Sequence, residues 1–471
     1  MKSLSFVLGF IVLFFSSVGC QQSKQEKTDV PNVIVLLIDD AGYSDFGFAG
    51  SEDLKTPNID ELANNGIVFT DAHVTASVCG PSRAGLMTGR YQQRFGFECN
   101  PSHDFSGVDL NETTIAEAMK QAGYKTAAFG KWHLGDGEAY KPNARGFDYY
   151  WGFLSGGRHY FSNSEQDKPG HSHSIRENDQ FTNFEGYLTD RLGDKAVEFI
   201  DRNKENPFFM YWAPNAVHTP MEATQEDLDL FEGHPRQKLA AMTWALDRAV
   251  GQITDKLKRE GLLDNTLIFF LSDNGGAHNN ESINYPLKGF KGNKYEGGIR
   301  VNFFMHWPKE LKKGKYNGLT SSLDIFATSV AVAGSKIVTN KPLDGVNLLP
   351  FLKKKVEGNP HDELFWRKDK MAAMRYADYK MIRVEGLGYR LYNLKTNLSE
   401  DQDLTQAKPE VLNVMQQKVS NWEEQIMRPL WTEGHTWDTI TWMIHEDLYL
   451  NREVRVANSK ALKSWKKESK E

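Results

Sequence analysis

Four apolar segments, each followed directly by polar residues, constrain the fold of this chain most strongly. They are NVIVLLIDD, ending at Asp39 and Asp40, KTAAFGKWHLG with Lys131 and His133, PFFMYWAPNAVHTP with His218, and NTLIFFLSDNGG with Asp273 and Asn274. Such continuous runs are typical of strands that are buried on both faces of a parallel sheet. The intervening segments show helical periodicity, and TTIAEAMKQAGY begins with a capping box formed by Thr114 and Glu117. The alternation predicts an α/β fold built on a parallel sheet.

The polar residues after these strands predict a site at one edge of the sheet. In open α/β sheets, ligands bind outside the carboxyl ends of the strands. Two adjacent carboxylates after a buried strand are costly unless a positive charge balances them. Hard cations such as calcium or magnesium prefer oxygen ligands. The sequence offers four of them at this edge: Asp39, Asp40, Asp273 and Asn274. The spacing of the histidines and cysteines does not match a structural zinc site.

Length, charge and cysteine content narrow the class of protein. A chain of 471 residues is long enough for a large catalytic domain with a smaller companion. The net charge of -6 argues against general nucleic-acid binding, so no nucleic-acid partner is expected. With 3 cysteines the chain has no disulfide-rich framework, although Cys79 and Cys99 could form one disulfide in an oxidising compartment. The stability of the fold must therefore come from a packed core.

The N-terminal residues have the pattern of an export signal followed by a tether. Lys2 precedes the apolar run LSFVLGFIVLFF and the small residues SSVG, which predicts a signal peptide over residues 1–19. Cys20 is then the expected lipidated residue, as in a bacterial lipobox, and residues 20–30 form a polar tether. We therefore expect an exported bacterial protein, in the periplasm or at the outer membrane or cell surface, that carries a lipid anchor to the membrane.

The chain changes character after residue 350. The segment PHDELFWRKDKMAAMRYADYKMIRV predicts two strands, YRLYNLKTNLSED predicts a third, and PEVLNVMQQKVSNWEEQI predicts a helix. The last residues, SKALKSWKKESKE, form a basic tail. We expect a catalytic domain over residues 31–350, and a C-terminal subdomain with the basic tail over residues 351–471.

The segment CGPSRAGLMTGR, which begins at Cys79, resembles the signature of the formylglycine-dependent (type I) sulfatases, Cys-x-Pro-Ser-Arg followed by Thr-Gly-Arg. LLIDDAGYSDFG, GKWHLG, VHTP, SDNGG and KGNKYEGGIRV match further blocks of that family, in the family's order. The resemblance implies a sulfuric ester hydrolase with the alkaline-phosphatase-like fold. That fold has a central, mostly parallel sheet flanked by helices, and a smaller C-terminal α+β subdomain with an antiparallel sheet.

The resemblance implies that Cys79 is a precursor of the nucleophile. A separate formylglycine-generating enzyme would oxidise it to formylglycine (3-oxoalanine), an aldehyde that hydrates to a gem-diol. One hydroxyl would attack sulfur, and the other would lose its proton and expel sulfate by rebuilding the aldehyde. The competing interpretation of Cys79 is a small thiol buried beneath a turn.

The resemblance also implies roles for the polar residues around Cys79. Arg83 would hold the deprotonated diol near a metal ion, and Lys131 and Lys291 would grip sulfate oxygens. His133 would hydrogen-bond the formylglycine, and His218 would donate a proton to the leaving alkoxide. The expected ion is a single calcium, and its implied ligands are Asp39, Asp40, Asp273, Asn274 and modified Cys79.

A sulfated oligosaccharide is the expected substrate, derived from an algal polysaccharide such as ulvan or carrageenan or from an animal glycosaminoglycan. Substrate choice should depend on loops around the pocket. FLSGGRHYFSN contributes Arg158 and His159 as candidate substrate contacts, and ECNPSHD contributes His103. Packing within the loops is the structural alternative for these three residues.

Two other functions stay open. The first is a phosphomonoester or phosphodiester hydrolase of the same superfamily, which would commonly use serine or threonine with two zinc ions. The cysteine in a full maturation motif and the single oxygen-rich metal site disfavour it. The second is a surface lipoprotein that binds sulfated glycans without hydrolysing them. A binder would not need the complete set of nucleophile, metal ligands and acid.

Overall fold

The computed structural model describes residues 30–101, 107–334 and 339–455 of the chain. The predicted signal peptide over residues 1–19, Cys20 and the tether up to residue 29 lie outside the described residues, as do His103 and the basic tail beyond residue 455. A large sheet and a smaller C-terminal sheet organise the described residues, and each sheet has a hydrophobic core on both faces.

Strands and helices alternate through most of the described chain. The strands are β1 (Asn32–Ile38), β2 (Ile67–Phe69), β3 (Ala72–His73), β4 (Lys125–Lys131), β5 (Tyr149–Phe153), β6 (Arg176–Glu177), β7 (Gln180–Phe181), β8 (Phe208–Ala213), β9 (Thr266–Ser272), β10 (Phe303–His306), β11 (Gly314–Tyr316), β12 (Thr320–Ser321), β13 (Glu363–Lys368), β14 (Met371–Tyr376), β15 (Tyr379–Val384) and β16 (Gly388–Asn393). The α-helices are α1 (Pro57–Asn64), α2 (Cys79–Thr88), α3 (Ile115–Gln121), α4 (Leu188–Asn203), α5 (Gln225–Asp229), α6 (Gln237–Arg259), α7 (Glu296–Ile299), α8 (Asp324–Val332), α9 (Leu349–Leu352), α10 (Pro409–Glu423) and α11 (His435–Tyr449). Over the residues that the structure describes, these helices are too short or too polar to cross a bilayer.

The larger sheet has the strand order β11-β2-β10-β9-β1-β8-β4-β5-β6-β7. The strands from β9 to β5 in this order are all parallel. Antiparallel pairs occur only toward the two edges, where β10 pairs with β9 and β2, and β6 pairs with β5 and β7. The α/β fold class predicted from the sequence, with a mostly parallel central sheet flanked by helices, is therefore confirmed.

Strand β1 lies in the middle of this sheet, between β8 and β9. Val33 and Val35 belong to the core on one face, and Ile34 and Leu36 belong to the core on the other. Burying an aliphatic side chain of this size contributes about 1.5–3 kcal/mol. Because both faces are covered, the strand is apolar from Val33 to Ile38, and polar residues follow where it leaves the sheet.

The helices cover both faces of the large sheet. Residues of α2, α3 and α8 pack into one core, and residues of α4 and α6 pack into the other. The capping box predicted at α3 is confirmed: Thr114 Oγ1 accepts a hydrogen bond from the Glu117 amide, and the Glu117 carboxylate accepts one from the Thr114 amide. Gly261, at φ +65°, follows the end of α6, where a left-handed residue commonly ends a helix.

The smaller sheet is antiparallel, with the order β13-β14-β15-β16, and α10 and α11 pack on its two faces. The sequence predicted three strands here, but the structure has four. Two-residue turns separate β13, β14 and β15, with Asp369 at φ +45° and Ala377 at φ +49°. Neither turn contains the glycine that usually marks such a hairpin. The predicted domain boundary at residue 350 falls within α9 and stays a prediction.

Candidate active site

Four neighbouring parallel strands, in the order β9, β1, β8 and β4, end at the same edge of the large sheet. Asp39 and Asp40 follow β1, Asp273 follows β9, Lys131 is the last residue of β4, and His218 lies in the segment after β8. The topology therefore brings together polar groups that are far apart in the sequence. All of them belong to the set that the sequence predicted.

Three carboxylates and a thiol form the centre of this edge. Ligand atoms of Asp39, Asp40, Cys79 and Asp273 lie within 4.8 Å of one another, and all four residues are buried. Asn274 Nδ2 donates to Asp40 Oδ1 at 2.8 Å, whereas Asn274 Oδ1 has no hydrogen-bond partner among the described residues. A buried oxygen without a partner is costly, and oxygen ligands are what hard cations prefer. This donor set therefore fits a divalent cation, with Asn274 Oδ1 as a further ligand.

Two lysines pair with these carboxylates. Lys131 Nζ donates to Asp39 Oδ2 at 2.7 Å, and the side chains of both residues are fully buried. Lys291 Nζ lies 2.8 Å from each carboxylate oxygen of Asp40. The Lys291 side chain is 20% exposed, so its ammonium group lies at the boundary between the cluster and solvent.

Arg83 is the third cation and is completely buried. Its Nε donates to Asp273 Oδ2 at 2.9 Å, and one guanidinium nitrogen donates to the Lys131 carbonyl oxygen at 3.0 Å. The three carboxylates thus face three cations. A divalent ion bound among them would make the whole cluster positive, which favours the binding of an anion.

Burial and neighbouring charges act in opposite directions on the carboxyl groups. Burial raises the pKa of Asp39, but Lys131 and the other cations outweigh it and hold that pKa well below its ordinary value. At Asp273 burial prevails and, reinforced by the Asp39 charge, raises the pKa to about 6. A bound metal ion reverses such an effect because it favours the ionised form of its ligands.

Cys79 is the first residue of α2, and its Sγ lies 3.5 Å from Asp39 Oδ1. The helix begins here because Val78 is extended at φ -141°, and it ends at Gly89, which is left-handed at φ +63°. Burial and the Asp273 charge raise the pKa of the Cys79 thiol. A buried thiol among carboxylates stays protonated and is a poor nucleophile. A divalent ion bound in the cluster would favour the ionised form of this thiol, as it does for the carboxylates.

Two histidines flank the cluster. His218 Nδ1 lies 2.5 Å from the Thr219 carbonyl oxygen, and its Nε2 lies 3.6 Å from Asp40 Oδ2. The carbonyl can only accept, so Nδ1 carries a hydrogen and Nε2 faces the site. His133 has φ +59°, and its buried Nδ1 has no hydrogen-bond partner within the described part of the chain. Burial and nearby cations lower the pKa of both imidazoles.

A glycine pair in the loop after β5 packs against both rings. A Cβ atom at Gly156 would lie 2.7 Å from Cε1 and Nε2 of His133. A Cβ atom at Gly157 would lie 3.2 Å from Cε1 of His218. These separations are below normal van der Waals contact, so the absence of side chains at this pair lets the loop approach the two histidines.

The same loop continues into the two candidate substrate contacts that the structure describes. Arg158 does not offer a free cation to the site, because it is buried and donates to a backbone carbonyl oxygen at 2.7 Å and to Asp167 Oδ1 at 2.8 Å. It holds the loop together. His159 is 40% exposed, and its Nδ1 lies 2.6 Å from Glu222 Oε1. Glu222, the partner of this histidine, was not among the residues predicted from the sequence.

Two further residues near the cluster were also missed. Asn280 Nδ2 donates to the backbone oxygens of Asp40 and Val217 at 3.1 and 3.0 Å, which ties the end of β1 to the segment after β8. Both ring nitrogens of His278 are buried without a partner among the residues described, and burial lowers its pKa to about 4. Both residues lie directly after the SDNGG block, so its continuation, AHNN, was the signal available.

The disulfide that the sequence left open does not form. Cys79 and Cys99 are both free and buried. The Cys99 carbonyl oxygen accepts a hydrogen bond from Trp431 Nε1 at 3.2 Å, and both residues belong to the core on one face of the large sheet. Cys99 is therefore a small residue buried in the core.

Comparison with known proteins defines the class to which this site belongs. The sulfatase family model matches residues 31–335, and the chain belongs to the sulfatase family. It is therefore a sulfuric ester hydrolase of the alkaline-phosphatase-like superfamily, and the family predicted from the CGPSRAGLMTGR segment is confirmed.

The relatives extend over most of the chain. It is 34% identical over 392 residues to the uncharacterized sulfatase YdeN of Escherichia coli (strain K12), covering 71% of this chain and 68% of that protein. It is 31% identical over 438 residues to arylsulfatase G of Rattus norvegicus, covering 82% of this chain and 80% of that protein. The crystal structure of Ps i-CgsB superposes with a TM-score of 0.81 at 37% identity, covering 89% of this chain and 99% of the other.

We predict that Gly156→Ala impairs catalysis without unfolding the protein. The new Cβ must displace the His133 ring, and a misplacement of about 1 Å in an active site lowers kcat/KM by roughly a hundredfold. Steady-state kinetics and the thermal midpoint would be measured for this variant. The matched control is Gly314→Ala, because a Cβ there meets nothing within 4 Å. Equal kcat/KM values for the two variants would show that the ring position does not matter.

Proposed function

We propose that this sulfatase releases sulfate from a carbohydrate, specifically from a carrageenan-type oligosaccharide. The observation that carries the proposal is the similarity to Ps i-CgsB, which extends over nearly the whole of that protein at 37% identity. Ps i-CgsB has also been solved in complex with k-i-k-neocarrahexaose. Oligosaccharides of ulvan and of glycosaminoglycans are the alternative substrates, and sulfate release from them is compared with release from carrageenan oligosaccharides.

We propose that a formylglycine-generating enzyme converts Cys79 to formylglycine before the protein is active. The hydrated aldehyde would supply one hydroxyl that attacks sulfur and a second whose deprotonation releases sulfate. Two observations support a modified residue. Cys79 begins both α2 and the CGPSRAGLMTGR motif, and the Arg83 guanidinium lies in the same cluster, where it can stabilise an oxyanion.

Lys131 and Lys291 are proposed to bind sulfate oxygens. Each ammonium group now pairs with a carboxylate of the ligand set, Asp39 or Asp40. When those carboxylates coordinate a cation, both ammonium groups become available to bind the sulfate group of a substrate. Positioned cations stabilise the negative charge on a transferring sulfuryl group, as they do for phosphoryl groups.

His218 is proposed to protonate the sugar oxygen that leaves. Its Nδ1 is bound to the Thr219 carbonyl, so Nε2 is the ring nitrogen that can exchange a proton with substrate. Lys291 is one of the charges that lower the pKa of His218, and an anionic sulfate ester beside that lysine would raise the pKa again. An alkoxide is a poor leaving group, so this proton accounts for reaction at a sugar hydroxyl.

We also propose that the protein is exported and lipidated at Cys20. The support is the N-terminal sequence, with its apolar run followed by small residues and a cysteine. A lipoprotein at the cell envelope would meet sulfated oligosaccharides outside the cytoplasm. Globomycin sensitivity of processing in a bacterial host would test the lipidation, and unchanged processing would contradict it.

We predict that Cys79→Ala abolishes sulfate release, whereas Cys99→Ala retains it. Both cysteines are buried and free, so the pair controls for the loss of a thiol from the core. Free sulfate would be measured after incubation with carrageenan, ulvan and glycosaminoglycan oligosaccharides, using protein co-produced with a formylglycine-generating enzyme. Release from the carrageenan oligosaccharides is expected. Release by Cys79→Ala would contradict the nucleophile, and release only from another class would contradict the proposed substrate.

We propose that the cation is calcium, because three carboxylates and the unpartnered Asn274 Oδ1 offer oxygen ligands at this site. Calcium added to chelator-treated protein should raise its thermal midpoint, since a ligand at about 100 times its Kd stabilises the folded state by about 2.7 kcal/mol. Asp273→Asn should abolish this shift. Asp45→Asn is the matched control, because Asp45 is a buried carboxylate that pairs with Arg236 instead. A larger shift with magnesium would contradict calcium, and an undiminished shift in Asp273→Asn would contradict the site.

We propose that His159 contacts the sugar next to the reacting sulfate. It lies at the exposed rim, two residues after Gly157, and Glu222 fixes its ring. His159→Ala should raise KM by about three- to tenfold, the worth of one hydrogen bond, and leave kcat nearly unchanged. His171→Ala, an exposed histidine farther along the chain, is the control and should leave KM unaltered. An unaltered KM in His159→Ala would exclude the contact.

A further inference from the structure

The loop that carries Lys291 is closed at its base and held at two points. The Gly297 amide donates to the Lys288 carbonyl oxygen at 2.8 Å, which closes the loop. The Lys291 amide donates to the Gly276 carbonyl oxygen at 3.1 Å, and the Gly292 amide donates to the Ser77 carbonyl oxygen at 2.8 Å. The position of the Lys291 ammonium group therefore depends on where the two ends of the loop, at Lys288 and Gly297, are fixed.

Glu296, the first residue of α7, fixes the base through contacts with the C-terminal sheet. Its Oε1 accepts from Lys380 Nζ on β15 at 2.9 Å, and its amide donates to Glu400 Oε2 at 2.7 Å. Lys380 Nζ also lies 2.9 Å from Glu400 Oε1, and all three side chains are completely buried. His73 Nε2 contacts the other oxygen of Glu296 at 3.0 Å.

Apolar packing and a second lysine reinforce the same junction. Tyr295 and Ile299 belong to the core on one face of the C-terminal sheet, together with Trp366. Lys288 Nζ donates to the Glu400 carbonyl oxygen at 3.2 Å. The loop that presents Lys291 is therefore built against the C-terminal subdomain at both of its ends.

Stability alone gives a weak reason for this buried ionic cluster. Replacing a buried ion pair by apolar side chains of similar volume is often neutral or stabilising. A buried ion pair does, however, accept only a narrow range of geometries, because an unpaired buried charge is costly. Three carboxylates, those of Glu296, Glu400 and Asp71, face three cations here. Lys380 pairs with the two glutamates, whereas Arg300 and Arg375 lie 3.3 and 3.7 Å from Glu296 Oε2 and 3.3 and 3.0 Å from Asp71 Oδ1, so these charges balance.

We propose that Lys380 and Glu400 of the C-terminal subdomain are positioning residues for sulfate hydrolysis, which act through Glu296 on the placement of Lys291. The inference rests on the proposed role of Lys291 in binding sulfate. The C-terminal subdomain would then contribute to the geometry of the active site, although neither Lys380 nor Glu400 touches the three aspartates at the end of the large sheet.

A double-mutant cycle tests this proposal. Lys380→Met should lower kcat/KM by about ten- to a hundredfold, as expected for a displaced catalytic group. In a Lys291→Ala background the same substitution should have little further effect, because its target is absent. Fully multiplicative losses in the double variant would contradict the proposal. Glu400→Gln, which keeps the shape of the side chain, should show the same pattern if Lys380→Met fails to fold.

The control is Arg383→Met. Arg383 lies on the same strand, β15, but pairs with Glu423 on α10 at 2.7 Å, away from the loop. Its loss should lower the thermal midpoint without changing kcat/KM. An equal loss of kcat/KM in Arg383→Met and Lys380→Met would mean that any damage to the sheet impairs the enzyme, which would overturn the specific role of Lys380.

A second measurement separates failure of this inference from failure of the proposed function. Hydrogen exchange at the amides of Lys291 and Gly292 reports on the loop whether or not the right substrate is present. Lys380→Met should speed exchange at these two amides, and Arg383→Met should not. Unchanged exchange in Lys380→Met would contradict the inference even if sulfate release is observed. Faster exchange in a protein without activity would leave the positioning intact and count against the proposed reaction.

Discussion

The balance between three buried carboxylates and three cations is the constraint on which the rest of the site depends. Ionised carboxylates at the end of a buried strand are costly unless positive charge lies within a few ångströms. Each carboxylate meets that condition through one cation: Lys131 for Asp39, Lys291 for Asp40, and Arg83 for Asp273. A divalent ion bound among them would add positive charge to the cluster. The cluster then becomes a receptor for a single anionic group, which is what hydrolysis of a sulfate ester requires.

The fold supplies these charges from elements that are far apart in the sequence. The carboxylates come from β1 and β9, which are neighbours in the sheet, and Lys131 comes from the end of β4. Arg83 lies on α2, one turn after Cys79, so a single helix places both the proposed nucleophile precursor and a cation beside it. Lys291 alone lies on a loop without a strand or long helix beneath it, and the C-terminal sheet provides the missing support. Under the proposed role of Lys291, the two sheets contribute to one reaction.

Much of the fold and of the candidate site was predictable from the sequence, because both depend in large part on local patterns. The buried strands, the capping box at Thr114 and the polar residues at the strand ends follow from periodicity and residue type. The family motif added Arg83 and Lys291, which no local pattern identifies. The sequence could not reveal that Arg158 is buried in its own loop or that Glu222 holds His159, because both depend on long-range contacts. One strand of the C-terminal sheet was missed because the turns between β13, β14 and β15 have positive φ angles without glycine.

The central claim is that a modified Cys79 within this charge cluster performs the reaction. The most direct test is to measure, in preparations with different degrees of maturation, both the fraction of the Cys79 peptide that carries formylglycine and the rate of sulfate release. Mass spectrometry gives the first quantity, and released sulfate gives the second. The account predicts that the rate is proportional to the converted fraction and vanishes when the fraction is zero. Full activity in protein whose Cys79 is entirely an unmodified thiol would contradict it.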